Sequence, residues 1–532
     1  FQLLKEHLSQ YTPEKAEKIT DIPAKTIERI AYELGTNAMI GSTIMIDGKS
    51  LPYRPVGIMA YHVSQQELGF QATRMAIICW MMLGAIYTPG GLFIDSKPSL
   101  HPNYDNIENQ TVNDPGDSGY DFTLTGSKFY PINSKNPSLI GHLFNNPDKY
   151  SVKTLPELMV IHMANPLISF ADQPTIRKYL ETMKTVVVLS PWMSETADHY
   201  ADYVLPVATL EKFEGPLSAS DSYNDGKAFR IPVIPPLYQS KGEIDIYIDL
   251  CEKAGVLYGT GGYIDKINEQ FSSDLKDKTT GEDKWAPYKL DINAKPTVET
   301  ILSNYAKAKG YAGGIDEIKK KGAFSVKPYK SSDIYPYASS TPFGGKKHRL
   351  YGDGLKRLQN EMKSKGSDNF DLGNGVRWDY TKDYTPLPTW RTPTMDNSPA
   401  EFNFYLISRK LIEYKQSRAT MVPLLNELES KQFIEINNDK AKEMGINNGD
   451  WVEVTSHNAV TQETRTLKVR AKLTSCIRPD TVCMPHHYGV WVHPRTNASE
   501  NPTPNYLFFT GEGYVTNTAD QSFHVKVKIR KV

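Results

Sequence analysis

Cysteine is scarce in this chain. There are four in 532 residues, at positions 79, 251, 476 and 483. No Cys-x-x-Cys pair occurs. The nearest two, Cys476 and Cys483, have a spacing that by itself encodes no zinc or iron–sulfur site. Isolated buried thiols are expected instead. An excess of charge is missing too, because 61 Lys and Arg balance 61 Asp and Glu. That excludes the basic footprint with which proteins hold nucleic acid or an anionic membrane. The run Lys319, Lys320 and Lys321 reads as a solvated helix end. Long hydrophobic runs are also lacking. The longest, residues 75–87, falls short of the roughly 20 residues that span a bilayer and reads as a buried helix.

What is present is alternation. Residues 158–163 form a short apolar run that ends in Ala164, Asn165 and Pro166. Residues 185–189 form a second run that ends in Ser190, Pro191 and Trp192, with Ser194, Glu195 and Thr196 just beyond. Residues 173–183 between them read as a helix. This is a βαβ unit whose strand ends open at one edge of a parallel sheet. There, loops and helix N-termini present N–H groups to ligands.

At 532 residues the chain is too long for one core and should hold two or three domains. Two capped helices are expected in residues 1–37. Thr12, Pro13 and Glu14 open the first, and Asp21 opens the second. Ile27, Ile30, Ala31 and Leu34 give the second helix its apolar face, and Gly35 ends it. A strand over 39–46 and a helix over 71–83 follow, then a sharp exit at Thr88, Pro89, Gly90 and Gly91. Tyr61, His62, Ser64 and Gln65 precede that helix, and a lone histidine there reads as a hydrogen-bonding residue rather than a catalyst. Residues 97–150 form a long polar excursion. The glycosylation patterns beginning at Asn109 and Asn497 are too short to carry weight. A proline-rich turn at 232–236 leads to a helix over 243–251, and residues 257–395 are polar and lysine-rich.

From residue 396 the texture changes. Short β-branched runs at 402–407, 433–437, 451–456, 466–472, 481–485 and 523–529 predict a small closed barrel. The expected fold class is α/β, with doubly wound parallel-sheet domains followed by a C-terminal closed β-barrel domain.

Several of these stretches, taken in order, resemble the molybdopterin oxidoreductases of the dimethyl-sulfoxide-reductase superfamily. They are residues 11–31, the Pro89-Gly-Gly91 exit, Ala164-Asn165-Pro166, Ser194-Glu195-Thr196-Ala197 and Ala201-Asp202 through Pro206 with Glu211, Glu214 and Gly215. The series continues with residues 341–351, Leu406 to Arg409, the helix and turn at 437–450, and Asn505-Tyr506-Leu507. The resemblance implies three parts: the end of a preceding α/β domain over 1–37, an α/β pterin-dinucleotide-binding domain with insertions over 38–395, and a pterin-binding barrel over 396–532. It implies a bis-molybdopterin guanine dinucleotide cofactor with molybdenum or tungsten. The metal-ligating residue and a 4Fe–4S domain would lie upstream. The chain, opening at Phe1 inside a helical stretch, is therefore expected to be the C-terminal portion of a catalytic subunit.

Such a cofactor is large, anionic and rich in hydrogen-bonding edges, so several loops must supply hydroxyls, amides and a few cations. The resemblance assigns this work to Asn165, Pro166, Ser169, Ser190, Ser194, Glu195, Thr196 and Asp202, and to Arg230 before the proline-rich turn. In the barrel it points to Ser408, Arg409, His487, Tyr488, Asn505 and Gln521. For Arg230 a surface salt bridge is an equal alternative. Many members carry an acid near Ser190 that reads the guanine edge. Here Ser190, Pro191 and Trp192 stand instead, so guanine recognition is expected to be rearranged. His486, His487 and Tyr488 are the candidate catalytic residues. They are fixed donors to an oxyanion losing oxygen and a source of the protons consumed in making water. Metal ligation by His486, His487 and His493 would need a further carboxylate or cysteine and is not expected.

The loop at 486–489 and the run at 190–196 look most like the branch that reduces tetrathionate, polysulfide, thiosulfate or arsenate. The resemblance implies two-electron reduction in anaerobic respiration. It also implies two partners, an iron–sulfur electron-transfer subunit with its membrane-anchor subunit. The implied place is the periplasm or the outer face of the cytoplasmic membrane. Two rivals stand beside this reading: a non-redox hydratase or transhydroxylase, and a non-catalytic iron–sulfur scaffold of a respiratory dehydrogenase. The polar set Asn165, Ser408, Arg409, His487 and Asn505 argues against the scaffold.

Overall fold

The computed structural model describes residues 1–57, 63–92, 112–114, 124, 126–132, 139–152, 155–218, 227–277, 280–322, 334–338, 350–416, 420, 422–493 and 501–532. Tyr61, His62, the glycosylation patterns and most of 341–351 lie outside them.

The N-terminal helices are Gln2–Leu8, Pro13–Thr20 and Ala24–Asn37. Thr12 caps the second, accepting from the Lys15 N–H with Pro13 in the first turn. Three helices stand where two were expected, and two further expectations fail. Asp21 adopts a left-handed conformation (φ 56°) and closes this helix rather than opening the next. Gly35 sits inside the third helix, which runs on to Asn37. A single glycine costs only about 1 kcal/mol in a helix. Here the side chains of Thr36 and Asn37 also donate back to carbonyls of the preceding turn. The strand expected over 39–46 is shortened to β1 (Thr43–Ile46), paired antiparallel with β2 (Lys49–Pro52). Between them Asp47 and Gly48 both have positive φ, the Asp-Gly signature of a tight hairpin turn. The apolar run forms the helix Gly69–Met82. It buries Gln71, Ile78 and Trp80 but leaves Cys79 and Met82 exposed, so it is half-buried rather than buried. Of the four free thiols only Cys483 is buried, which corrects the expectation of buried cysteines.

The βαβ unit is present. Strands β3 (Leu158–His162), β4 (Thr185–Ser190) and β5 (Tyr203–Pro206) are parallel, in that order. The helix Gln173–Leu180 links the first two, and Glu195–Tyr200 links the last two. One face of the sheet packs Ile161, Val186 and Val188 against Ile176, Tyr179, Leu180 and Ala197. The other packs Leu189 and Val207 against Ile246 of the helix Glu243–Lys253. Helices thus cover both faces, which is why the central strand reads as continuously apolar.

A hairpin of β6 (Glu214–Ser218) and β7 (Lys227–Arg230) follows. The stretch expected to be merely polar contains a helical unit of its own. Helices Tyr263–Asp274, Val298–Ala308 and Gly314–Lys321 enclose Trp285, which is fully buried and donates its indole N–H to Asn268. Val298, Ile301, Leu302 and Tyr305 make the buried stripe. Lysines on the outer face dilute it in the overall composition. Beyond the helix Asp353–Ser364 come β8 (Phe370–Gly373) and β9 (Val376–Trp378), a small antiparallel hairpin.

The last domain is the barrel. Its strands are β10 (Phe404–Arg409), β11 (Phe433–Asn437), β12 (Trp451–His457), β13 (Thr464–Thr474), β14 (Thr481–Pro485) and β15 (Val525–Lys531). They close in the order β10-β14-β11-β13-β12-β15. Inward residues alternate along each strand, as in Val452 and Val454 or Leu467, Val469 and Ala471. β10 and β14 are parallel, with Arg409 level with Pro485, so both strands end at one rim.

Buried charge joins sheet and barrel. Arg465 of β13 reaches Asp172, the residue that caps the helix Gln173–Leu180. The other Asp172 oxygen accepts from the backbone and hydroxyl of Thr510, and that hydroxyl also meets His142 at 2.6 Å. Burial alone would raise the Asp172 pKa. The hydrogen bond from His142 and the charge of Arg465 overcome it and hold the carboxyl well below the usual range.

Candidate functional site

A cavity of about 270 Å³ opens at the carboxyl ends of β3 and β4. Met163, Ala164, Asn165 and Ser169 line it from the loop after β3. Ser190, Pro191, Trp192, Ser194 and Glu195 line it from the loop after β4. Gln416 and Val490 come from the barrel domain. The site therefore lies where ligands of parallel sheets bind, and the barrel forms its opposite wall.

Local chemistry sets this geometry. The Ser169 hydroxyl donates to the Asn165 carbonyl across the short turn Pro166–Ser169. Ser194 caps the helix Glu195–Tyr200 by accepting from the Ala197 N–H. The Ser190 hydroxyl donates to the Trp192 carbonyl at 2.7 Å and bends the chain so that the indole stands at the rim. Glu195 is almost wholly buried, at 2% exposure. One of its oxygens accepts from the N–H groups of Trp491 and Val492, at 2.8 and 3.1 Å. The other accepts from the Asn165 amide at 2.7 Å. The Asn165 oxygen accepts from both the backbone and the hydroxyl of Thr196, and that hydroxyl in turn accepts from the Leu167 N–H.

On the barrel side, His486 is held between Ser408 and Gln416. Its Nδ1 lies 3.0 Å from the Ser408 hydroxyl and its Nε2 lies 3.0 Å from the Gln416 amide oxygen. An amide oxygen only accepts, so Nε2 carries the proton. None of the three candidate catalytic residues itself lines the cavity. His487 is fully buried and accepts the Leu411 N–H on Nε2 at 2.9 Å. Burial pushes its pKa down, against a smaller opposing effect of the Gln416 backbone. Tyr488 packs with Leu411, Tyr414 and Phe433 and donates its hydroxyl to the Glu429 carbonyl. Burial pushes its pKa far up. Both residues brace the loop from behind, and only His486 reaches the wall, through Gln416.

Of the residues assigned to cofactor binding, only Asn165, Ser169, Ser190, Ser194 and Glu195 line the cavity; Ser408, like His487 and Tyr488, stands behind it, and others lie further apart. Asp202 accepts from the Val186 N–H within the sheet. Arg230 is exposed and pairs with Glu214, the salt-bridge alternative. Arg409 forks onto Glu435 at 3.0 and 2.6 Å. Asn505 is buried and donates to the Ile168 carbonyl, so it supports the turn Pro166–Ser169 from beneath. Gln521 forms an isolated bridge with Val515. Pro166 and Thr196 are buried around the same turn. Conversely, Met163, Gln416 and Val490 line the cavity without having been singled out. Met163 directly follows a strand with positive φ. Gln416 carries no local signal at all.

The donor set has a definite character. It offers serine hydroxyls, two amides and an indole, and among the described residues no Lys or Arg lines it. Such a cavity fits an uncharged, planar, hydrogen-bonding group better than a phosphate. Among the described residues no three His, Cys, Asp or Glu are grouped to hold a metal ion.

Comparison with known proteins agrees with this layout. Residues 404–511, most of the barrel, match the family described as Molydopterin dinucleotide binding domain. The chain is 24% identical over 511 residues to the arsenate respiratory reductase molybdopterin-containing subunit of Chrysiogenes arsenatis, covering 92% of this chain and 56% of that one. It is 23% identical over 510 residues to the thiosulfate reductase molybdopterin-containing subunit of Salmonella typhimurium, covering 94% and 59%. The trimethylamine-N-oxide reductase of Haemophilus influenzae is 26% identical over 265 residues, covering 46% and 29%. Among solved structures, acetylene hydratase from Pelobacter acetylenicus shares the fold, with a TM-score of 0.64 at 17% identity, covering 100% of this chain and 66% of that one. The chain thus spans little more than half the length of the first two relatives. Residues 404–511 thus form a molybdopterin dinucleotide-binding domain, and across the sheet as well the chain is similar to the molybdopterin-containing reductases of the dimethyl-sulfoxide-reductase superfamily.

Proposed function

We propose that this chain is the C-terminal portion of the catalytic subunit of a molybdenum- or tungsten-dependent oxidoreductase that reduces a small oxyanion or sulfur compound by two electrons. The observation that carries the reading is the cavity itself: loops after two parallel strands face a loop from a dinucleotide-binding barrel. Its uncharged donors suit the nucleoside end of a molybdopterin guanine dinucleotide. When bound, that cofactor supplies a metal on dithiolene sulfurs through which an electron pair passes.

This chain's own residues hold and orient the cofactor. Trp192 offers a face for the base, Ser169 and Ser190 offer hydroxyls, and the fixed Asn165 shapes the floor. His486 holds a proton at Nε2 against Gln416 on the cavity wall. The names of the relatives support arsenate or thiosulfate as substrate class, and tetrathionate and polysulfide belong to the same proposal. A 4Fe–4S cluster upstream, a periplasmic or outer-face location, a membrane anchor and an iron–sulfur partner subunit complete it. The fold shared with acetylene hydratase keeps one alternative open, a non-redox reaction on the same cofactor.

The test is metal and pterin analysis of the full-length protein purified without oxygen, followed by a screen of acceptors with a reduced dye. About one molybdenum or tungsten and two pterin dinucleotides per chain, with dye oxidation by arsenate or thiosulfate, are expected. Iron with neither metal nor pterin would overturn the reading. Turnover of a hydratable substrate with no electron donor would move it to the non-redox alternative.

A further inference from the structure

We infer that Glu195 and Asn165 form a polarity-matched clamp that sets the two walls of the cavity against each other, so that Glu195 is a positioning residue and not a reader of the bound base. The inference rests on the cofactor reading above. Glu195 stands at the start of the helix after β4. Through one oxygen it holds Trp491 and Val492 of the barrel loop. Through the other it holds Asn165 of the loop after β3. One carboxylate therefore joins three segments around the cavity. Val490, next to the anchored amides, lines the opening. The loop is seated further by Trp491, whose ring meets His199 edge-on at 5.2 Å and lies under the Arg177 guanidinium.

The bonding requires this particular pairing of an acid with an amide. A carboxylate has about four lone-pair sites, and three N–H groups already occupy Glu195. Its doubly used oxygen leaves no free pair of oxygens for the two adjacent donors of a guanine edge. The Asn165 amide cannot turn over either, because its oxygen receives both donors of Thr196. Its nitrogen must therefore face Glu195, and Glu195 must present an acceptor.

That logic makes a reciprocal exchange the test. In the full-length enzyme, Glu195→Gln sets an amide NH₂ against an amide NH₂, and Asn165→Asp sets carboxylate against carboxylate. In Glu195→Gln/Asn165→Asp the glutamine nitrogen donates to the new carboxylate. The glutamine oxygen keeps the two backbone amides, and the net charge is that of the parent. Two quantities are read: hydrogen exchange at the Trp491 and Val492 amides, and the rate at which pterin dinucleotide leaves the diluted protein.

In each single variant both rates are expected to rise about tenfold, since charge-assisted bonds are broken, and in the double variant to return to within about threefold of the parent. A double variant as open and leaky as the worse single overturns the clamp. Exchange that is rescued while the release rate never changed would leave the clamp a structural tie and overturn its positioning role. A parent that carries no dinucleotide would instead sink the cofactor reading, and the exchange data would still decide the clamp.

Discussion

Asp172 and Arg465 meet 2.8 Å apart across the seam between the parallel sheet and the barrel, and both side chains are almost out of water. Neither charge has a solvent alternative. Arg465→Met alone should cost about 3–5 kcal/mol, because it leaves the Asp172 carboxylate buried without its guanidinium, and Asp172→Asn should cost less, because Glu463 still accepts from the Arg465 Nε at 2.6 Å. The Asp172→Asn/Arg465→Met pair should cost clearly less than the sum. Urea unfolding of the three variants checks this, and additive losses would contradict it.

Acid should loosen the same seam. Glu512 accepts from Lys149, Tyr150 and Tyr380. Burial would raise its pKa, but the charges of Lys149 and His142, with these hydrogen bonds, bring it from 4.5 down to about 2. Asp172 is depressed in the same sense. The unfolded chain therefore binds more protons than the folded one below about pH 4.5. Stability from these groups is complete above that value and is lost as pH falls towards 2. Melting temperature measured against pH should drop across this window, and should drop less in Glu512→Gln, whose starting value is lower.

The pKa of His487 is lowered too, but by burial rather than by partners, and it acts at higher pH. Burial favours its neutral form, so the folded pKa lies below the ordinary 6.5. As pH falls through 6.5 the unfolded chain takes up the proton first, and stability declines. His487→Ala leaves the Leu411 N–H without its acceptor and opens a void, at about 2–4 kcal/mol. Denaturation at about pH 8 reads that loss, and a series from about pH 5 upwards should show a flatter slope in the variant. His524, whose pKa is lowered by desolvation too, shifts in the same direction and keeps the slope from vanishing.

Trp192 is 41% exposed at the cavity rim. Trp192→Ala should change unfolding free energy by no more than about 0.5 kcal/mol, as surface changes do. It should speed dinucleotide release at least about tenfold, since stacking of a base on an aromatic ring contributes about 1–3 kcal/mol. Trp192→Phe should hold most of the affinity. Release rates that are equal in all three proteins would remove Trp192 from the site.

The barrel was legible in the sequence because alternation of Val and Ile with charged residues has only one reading at period two. Each predicted strand lies within two residues of the observed one at either end. The site was legible to the extent that it follows strand ends, where Asn165, Ser169, Ser190, Ser194 and Glu195 stand. It was not legible where direction matters. Nothing local says that His486 turns to the wall while His487 and Tyr488 turn beneath it, because their partners, Gln416, Leu411 and Glu429, are brought in by tertiary packing. The Trp285 core was hidden by lysines on the outer faces of its helices. The Asp47-Gly48 turn was a plain local signal, but it fell in a stretch read as a polar loop, and the four-residue β2 beyond it was not expected.

Because β10 and β14 run side by side in one direction, with Arg409 level with Pro485, whatever is inserted after either strand emerges at a single mouth. Two stretches far apart along the chain behave as one gate. Lengthening or recolouring either of them retunes the same entrance and leaves the strand register of the barrel untouched. Divergence in what enters the site is thereby uncoupled from the folding of the domain that carries it.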